Sequence, residues 1–197
     1  MIYRRSDYPT SSSFPDTLKK LDIVNCGMVR FDVRILKLKD LVSLNLSDNK
    51  MKEMDASLER LKLLKSLNFS LNMLTKLPSK LCRTNLASSL TFLDLSKNNL
   101  SGLPIAFGTM VSLVHVKLDD NMLSTLPSNI GQLVNLRFLS IGQNQLRTLP
   151  HSVRKLNLDS LDVSGNPFME RDSWYDIVNL GLPSLQECAG RAVRNAR

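Results

Sequence analysis

Seven times along this chain, leucines or their near-equivalents recur in the order L-x-x-L-x-L-x-x-N-x-L, and nothing else in the sequence constrains the fold as strongly. The clearest copies start at Leu41 (Leu44, Leu46, Asn49, Met51), Leu90 (Leu93, Leu95, Asn98, Leu100), Leu113 (Val116, Leu118, Asn121, Leu123) and Leu136 (Leu139, Ile141, Asn144, Leu146). Weaker copies start at Leu18 (Leu21, Ile23, Cys26, Met28), Leu64 (Leu67, Phe69, Asn72, Leu74) and Leu158 (Leu161, Val163, Asn166, Phe168). Most starts fall 23 residues apart, with a step of 26 into Leu90 and of 22 into Leu158. Units of this length cannot bury an apolar face alone, so they stack into a solenoid with one continuous core.

The spacing is that of a leucine-rich repeat. The expected architecture is an α/β horseshoe whose concave arc is a parallel sheet of about seven coils. Its convex arc should hold loops and short helical or 3-10 turns. Within each L-x-L core the side chains alternate, so Leu44 and Leu46 point inward and Asn45 to solvent. The Asn that follows sits where the chain turns, and its amide can pair backbone groups that burial would otherwise leave unsatisfied. Six copies keep it and the first uses Cys26, the accepted substitute in such repeats. The pairs Leu77-Pro78, Leu103-Pro104, Leu126-Pro127 and Leu149-Pro150 mark the returning halves, where proline suits an irregular arc or the first position of a helical turn. The extra residues between Leu81 and Ser89 should bulge on the convex side.

The solenoid is expected over residues 16–168, with a flexible segment at 1–15 and a C-terminal helical cap at 169–197. No window approaches a membrane span, and the start at Met1-Ile2-Tyr3-Arg4-Arg5 lacks the apolar run of a signal peptide. Three scattered cysteines (26, 82, 188) without cysteine-rich caps point to a reducing compartment, nucleus or cytoplasm. The net charge of +8 leans toward acidic partners, but acidic residues interleave with the basic ones and no nucleic-acid motif appears. No cofactor, metal site or catalytic constellation is expected. His115 and His151 lack ligand partners at usable spacing, and no P-loop, G-x-S-x-G or C-x-x-C occurs.

Binding is therefore expected on the concave face, where outward strand positions form columns. Phe92, His115 and Phe138 are consecutive in the first column, and an outward ring there has no core to fill. Asp94, Lys97, Lys117, Asp119, Asp120 and Gln143 surround them. A protein partner on coils four to six is the resulting expectation. The competing reading has the rings merely packing on one another to cover the sheet.

Near the C-terminus, Pro183 can open a helix on which Leu185, Cys188, Ala189, Ala192 and Val193 share one face. Ser184, Leu185, Ala189 and Val193 resemble the elongin-binding box of cullin-type receptors: a small residue, Leu, three residues, Cys, three residues, an aliphatic. Here Ala189 holds the cysteine place. Together with Leu18-Lys19-Lys20-Leu21, Cys26-Gly27-Met28 and the stretch Gly131-Gln132-Leu133-Val134-Asn135-Leu136-Arg137-Phe138-Leu139-Ser140, the chain resembles the leucine-rich-repeat substrate receptors of Cullin-2 ubiquitin ligases. The resemblance implies a monomeric, non-catalytic receptor. Its solenoid would hold a ubiquitylation target on the terminated replicative helicase, and its box would dock elongin C, with elongin B, and through it Cullin-2. The alternative is an intracellular signalling scaffold or phosphatase regulator whose tail only caps the solenoid.

Overall fold

The computed structural model describes residues 2–3, 8 and 14–168. Seven short strands follow one another in order: β2 Lys20–Ile23, β3 Ser43–Asn45, β4 Ser66–Asn68, β5 Phe92–Asp94, β6 His115–Lys117, β7 Phe138–Ser140 and β8 Ser160–Asp162. Each pairs in parallel with the next, one repeat per step, so Leu44 faces Leu67, Leu67 faces Leu93 and Leu93 faces Val116. The repeat leucines behind the sheet are buried without exception from Leu41 to Leu161. Each fully buried Leu removes apolar surface worth about 1.5–3 kcal/mol, so the core is a continuous column rather than a set of local clusters.

The asparagines supply what the leucines cannot. Asn121 lies 7% exposed, and its Nδ2 donates to the carbonyls of Leu118 and Asp119 in its own coil and of Leu95 in the coil before. Its Oδ1 accepts from Leu100 N, 3.0 Å away in the preceding coil. The same set recurs at Asn72, Asn98, Asn144 and Asn166, through Met51 N, Leu74 N, Leu123 N and Leu146 N. Asn49 closes the first junction by accepting from both Cys26 N and Met28 N. One side chain per coil thus satisfies backbone groups of two coils.

The convex arc consists of 3-10 turns at Val33–Lys37, Ala56–Arg60, Leu81–Arg83, Ile105–Thr109, Ile130–Gln132 and His151–Lys155. Two of the four prolines act one position earlier than expected: Pro104 and Pro150 are N-cap residues, whereas Pro78 and Pro127 lie two residues before the N-caps Lys80 and Asn129. The first two turns have no proline and use aspartate instead. Asp32 accepts from Arg34 N and Asp55 from Ser57 N, the ordinary cap chemistry. The extra residues before Leu90 form α1, Asn85–Ser89, directly after the third 3-10 turn, which is the predicted convex bulge. Adjacent turns approach so closely that a Cβ on Gly131 would meet Ser152 O at 2.2 Å.

The described N-terminal residues add to the sheet and to the core. Ile2–Tyr3 forms β1, a strand parallel to β2, so the sheet has eight strands. Phe14 is buried against the core. The Arg34 guanidinium lies 5.4 Å from the Phe14 ring and 5.8 Å from that of Tyr8, and it grips both oxygens of Asp32, which also accepts from the Tyr8 hydroxyl. Burial pushes the Asp32 carboxyl up, but the hydrogen bonds from Arg34 and Tyr8 outweigh it and hold it below its usual range. Phe14 in the core and Tyr8 packed against it thus cover the core at the first coil. The cap expected at 169–197 lies outside the described residues.

Replacing Asn121 with Leu should cost about 1–3 kcal/mol, because Leu100 N and three carbonyls lose their partner. A thermal melt of Asn121→Leu should show a clear fall in midpoint; an unchanged midpoint contradicts the role given to the asparagines.

Candidate partner-binding face

Local chemistry sorts the outward residues into those engaged within the sheet and those left open on it. In the second column, Asn45, Asn68, Asp94 and Asp162 turn back along their own strands. Each accepts from the backbone N–H two residues on, at Ser47, Ser70, Ser96 and Ser164. This is the turn that Asn and Asp side chains make with their own backbone. Asp94 also accepts from Ser96 Oγ at 2.6 Å and is only 8% exposed. It therefore braces β5, and of the residues expected around the rings it is the one turned furthest from solvent.

Coil five breaks the pattern with Lys117, which cannot accept. The neighbouring Asp119 reaches forward instead, accepting from Ser140 Oγ and from Gly142 N at 2.9 Å. Asp119 is thereby engaged between coils, while Lys117 remains exposed. Lys97, Asp120 and Gln143 are exposed too, and all three have positive φ, near +50° to +55°. Asn25, Asp48, Leu71 and Gly165 share that conformation, so every coil carries one left-handed residue immediately before its turn residue. The signal for the turned-back column was present in the sequence as Asn/Asp-x-Ser at 45–47, 68–70, 94–96 and 162–164. The left-handed column had no comparable signal, since seven positions hold six residue types.

The first column carries the rings as expected. Sheet register places Phe92 beside His115 and His115 beside Phe138. The His115 and Phe138 rings stack 4.3 Å apart and 6° from parallel, while Phe92 tilts at 6.2 Å from His115. The rings do pack on one another, as the competing reading holds, yet this does not close the face. Phe92 and His115 are half-buried, whereas Phe138 remains 39% exposed. Beside it lies an open depression of about 220 Å³, lined by His115, Lys117, Phe138, Ser140, Ser160 and Asp162. Ser160 and Asp162 were outside the sequence-based set because neither is aromatic nor unusual for its column.

A larger hollow of about 600 Å³ lies off the sheet, among the loops of the first two coils, with Arg30, Lys52, Glu53 and Asp55 in its lining. Its charges are mixed, and Asp55 is already engaged as a helix cap. Elsewhere, burial pushes the Cys82 thiol up to about 11, which keeps it protonated at neutral pH. Among the described residues no helix is long and apolar enough to cross a membrane. The elongin-box-like residues Ser184, Leu185, Ala189 and Val193 lie outside the described residues.

Comparison with known proteins agrees with this architecture. The family model Leucine Rich Repeat matches residues 89–110. Leucine-rich repeat protein 1 of Homo sapiens is 45% identical over 53 residues, which are 27% of this chain and 13% of that protein. The Mus musculus protein of the same name is 42% identical over 53 residues, with the same shares. Among solved structures, a leucine-rich repeat protein of Leptospira interrogans superposes with a TM-score of 0.74 at 35% identity, over 82% of this chain and 41% of that one. An internalin of Listeria monocytogenes gives 0.66 at 21% identity, over 82% and 44%, which bears on the fold alone. The chain is a leucine-rich repeat solenoid, and these likenesses support the leucine-rich repeat protein family. The matched segment spans only about an eighth of the two mammalian relatives.

The stack predicts an energetic coupling. A double-mutant cycle of His115→Leu and Phe138→Leu, read by denaturant unfolding, should give an interaction of about 0.5–1.5 kcal/mol. Strict additivity of the two substitutions would contradict the stacked geometry.

Proposed function

We propose that this chain is a non-catalytic protein-binding module that serves as the substrate-recognition part of a Cullin-2/elongin ubiquitin ligase. The observation that carries the binding role is the open ring of Phe138 at the end of an aromatic ladder. It stands on a concave sheet where coils two, three and seven present small polar groups at that position: Ser43, Ser66 and Ser160. Exposed rings beside a depression and a polar rim have the make-up of a binding hot spot.

The ligase role rests on sequence. Ser184, Leu185, Ala189 and Val193 have the spacing of an elongin-binding box, and the copies from Leu18 onward resemble the repeats of Cullin-2 receptors. The likeness to Leucine-rich repeat protein 1 is compatible with that resemblance. In this reading the concave face holds a protein destined for ubiquitylation in the nucleus or cytoplasm, on the replication machinery in the family's implied case. Elongin C, with elongin B, takes the C-terminal box and bridges to Cullin-2, and the chain acts as a monomer needing no cofactor.

Calorimetry of the full chain against the elongin B–C complex tests this directly. Leu185→Ala should remove an anchor worth at least about 2 kcal/mol, or roughly thirtyfold in affinity, without a matching loss of thermal stability. Ala189→Cys should tighten binding by restoring the usual box. If neither the parent nor Ala189→Cys binds elongin, the signalling-scaffold reading replaces this one.

A further inference from the structure

The aromatic ladder stops one rung before the sheet does. Phe138 is in register with Ser160, and Ser140 with Asp162, so the next first-column position offers a hydroxymethyl where a ring would continue the stack. That leaves the outer face of Phe138 available, which accounts for its greater exposure than Phe92 or His115. The vacant rung is flanked by acid. Asp162 uses Oδ1 to accept from Ser164 N at 2.9 Å, and its other oxygen takes no hydrogen bond from a described residue. Asp159, just before the strand, is exposed and only loosely paired, with Oδ1 4.0 Å from Arg137 Nη1. On the far side of Ser140, two coils from Asp162, Lys117 is an exposed cation that makes no ion pair with a described residue.

From this juxtaposition we infer that the depression is built for an arginine of the partner protein, whose guanidinium lies on the open face of Phe138 above Ser160 and donates to Asp162. The inference rests on the concave face being the partner-binding surface, and it names the chemistry read there. Among side chains fully charged at neutral pH, only the guanidinium is both planar enough to extend the stack and cationic enough to answer the carboxylates. A lysine ammonium could reach Asp162 but would leave the ring face uncovered. An aromatic side chain would stack but leave the Asp162 carboxylate facing a ring. Lys117 sets a second requirement, an acidic residue on the same segment. Two coil steps are about 9–10 Å, which an extended chain spans in about three residues. The partner segment is therefore an extended stretch carrying Arg and, within about three positions, Asp or Glu.

The probe is a random-sequence peptide library displayed on phage and selected on the full chain, followed by calorimetry with the synthetic selected peptides. Selected peptides should share an arginine with an acidic neighbour. Changing that arginine to lysine, or Asp162→Asn in the protein, should each weaken binding about tenfold. The Asn variant keeps the oxygen that accepts from Ser164 N, so the strand end should be undisturbed. Ser160→Phe should fill the rung from within and abolish binding while the protein melts like the parent. Peptides that need Phe138 but carry a ring in place of arginine, and ignore Asp162→Asn, would overturn the arginine assignment and leave the concave-face reading standing. Peptides indifferent to Phe138→Ala, or no selected peptide at all, would overturn both.

Discussion

Everything in this solenoid depends on how one asparagine amide, in each coil after the first, is shared between two coils. Stacked leucines favour burial but are indifferent to sliding, since one apolar surface packs on another in many registers. The asparagine is not indifferent. Its Nδ2 must find carbonyls such as Leu95 O and Leu118 O at about 3 Å, and its Oδ1 must find Leu100 N. A slip between coils breaks these bonds and leaves polar groups buried, at a cost comparable to several buried methylenes. The ladder therefore converts non-specific burial into a fixed register, repeated from Asn49 to Asn166.

That register is what makes the concave face a surface with defined geometry. Because each strand meets its neighbour one repeat on, equivalent side chains come side by side, and three rings that are far apart in sequence become one stack. Their positions would cost the proposed partner no ordering, which is the advantage of a preformed site. The same logic separates residues that brace the sheet from residues that remain open on it. Asp94 and Asp119 hold strand ends in place, whereas Phe138, Lys117 and Asp162 keep unused capacity. Charge follows a similar division, with much of the basic surface on the early coils and the rings on the later ones.

The fold was legible because its determinants repeat. Leu44, Leu67, Leu93 and their equivalents announce the strand in every coil, and the insertion before Leu90 shows up as a break in the period, hence α1 on the convex arc. The ring column was legible for the same reason. What could not be read were features that occur once or lack a residue preference. The strand at Ile2–Tyr3 is too short to have a pattern, and the Tyr8–Asp32–Arg34 cluster brings together residues from outside the repeat. The left-handed column accepts Leu71 as well as Gly165, because the ladder over-determines the turn and the strain is carried locally. The commitment of Asp94 could have been foreseen from its Asp-x-Ser spacing; periodicity alone assigned it to the surface.

The asparagine amides hold the coils together, and native-state hydrogen exchange puts this to the test. The backbone N–H groups of Met51, Leu74, Leu100, Leu123 and Leu146 donate to asparagine side chains rather than to the sheet. If the ladder is integral to the cooperative core, these amides exchange with the same opening free energy as the strand amides around Leu93 and Leu139, through global unfolding. If they exchange orders of magnitude faster than the strands, the ladder is peripheral, and leucine packing alone sets the register.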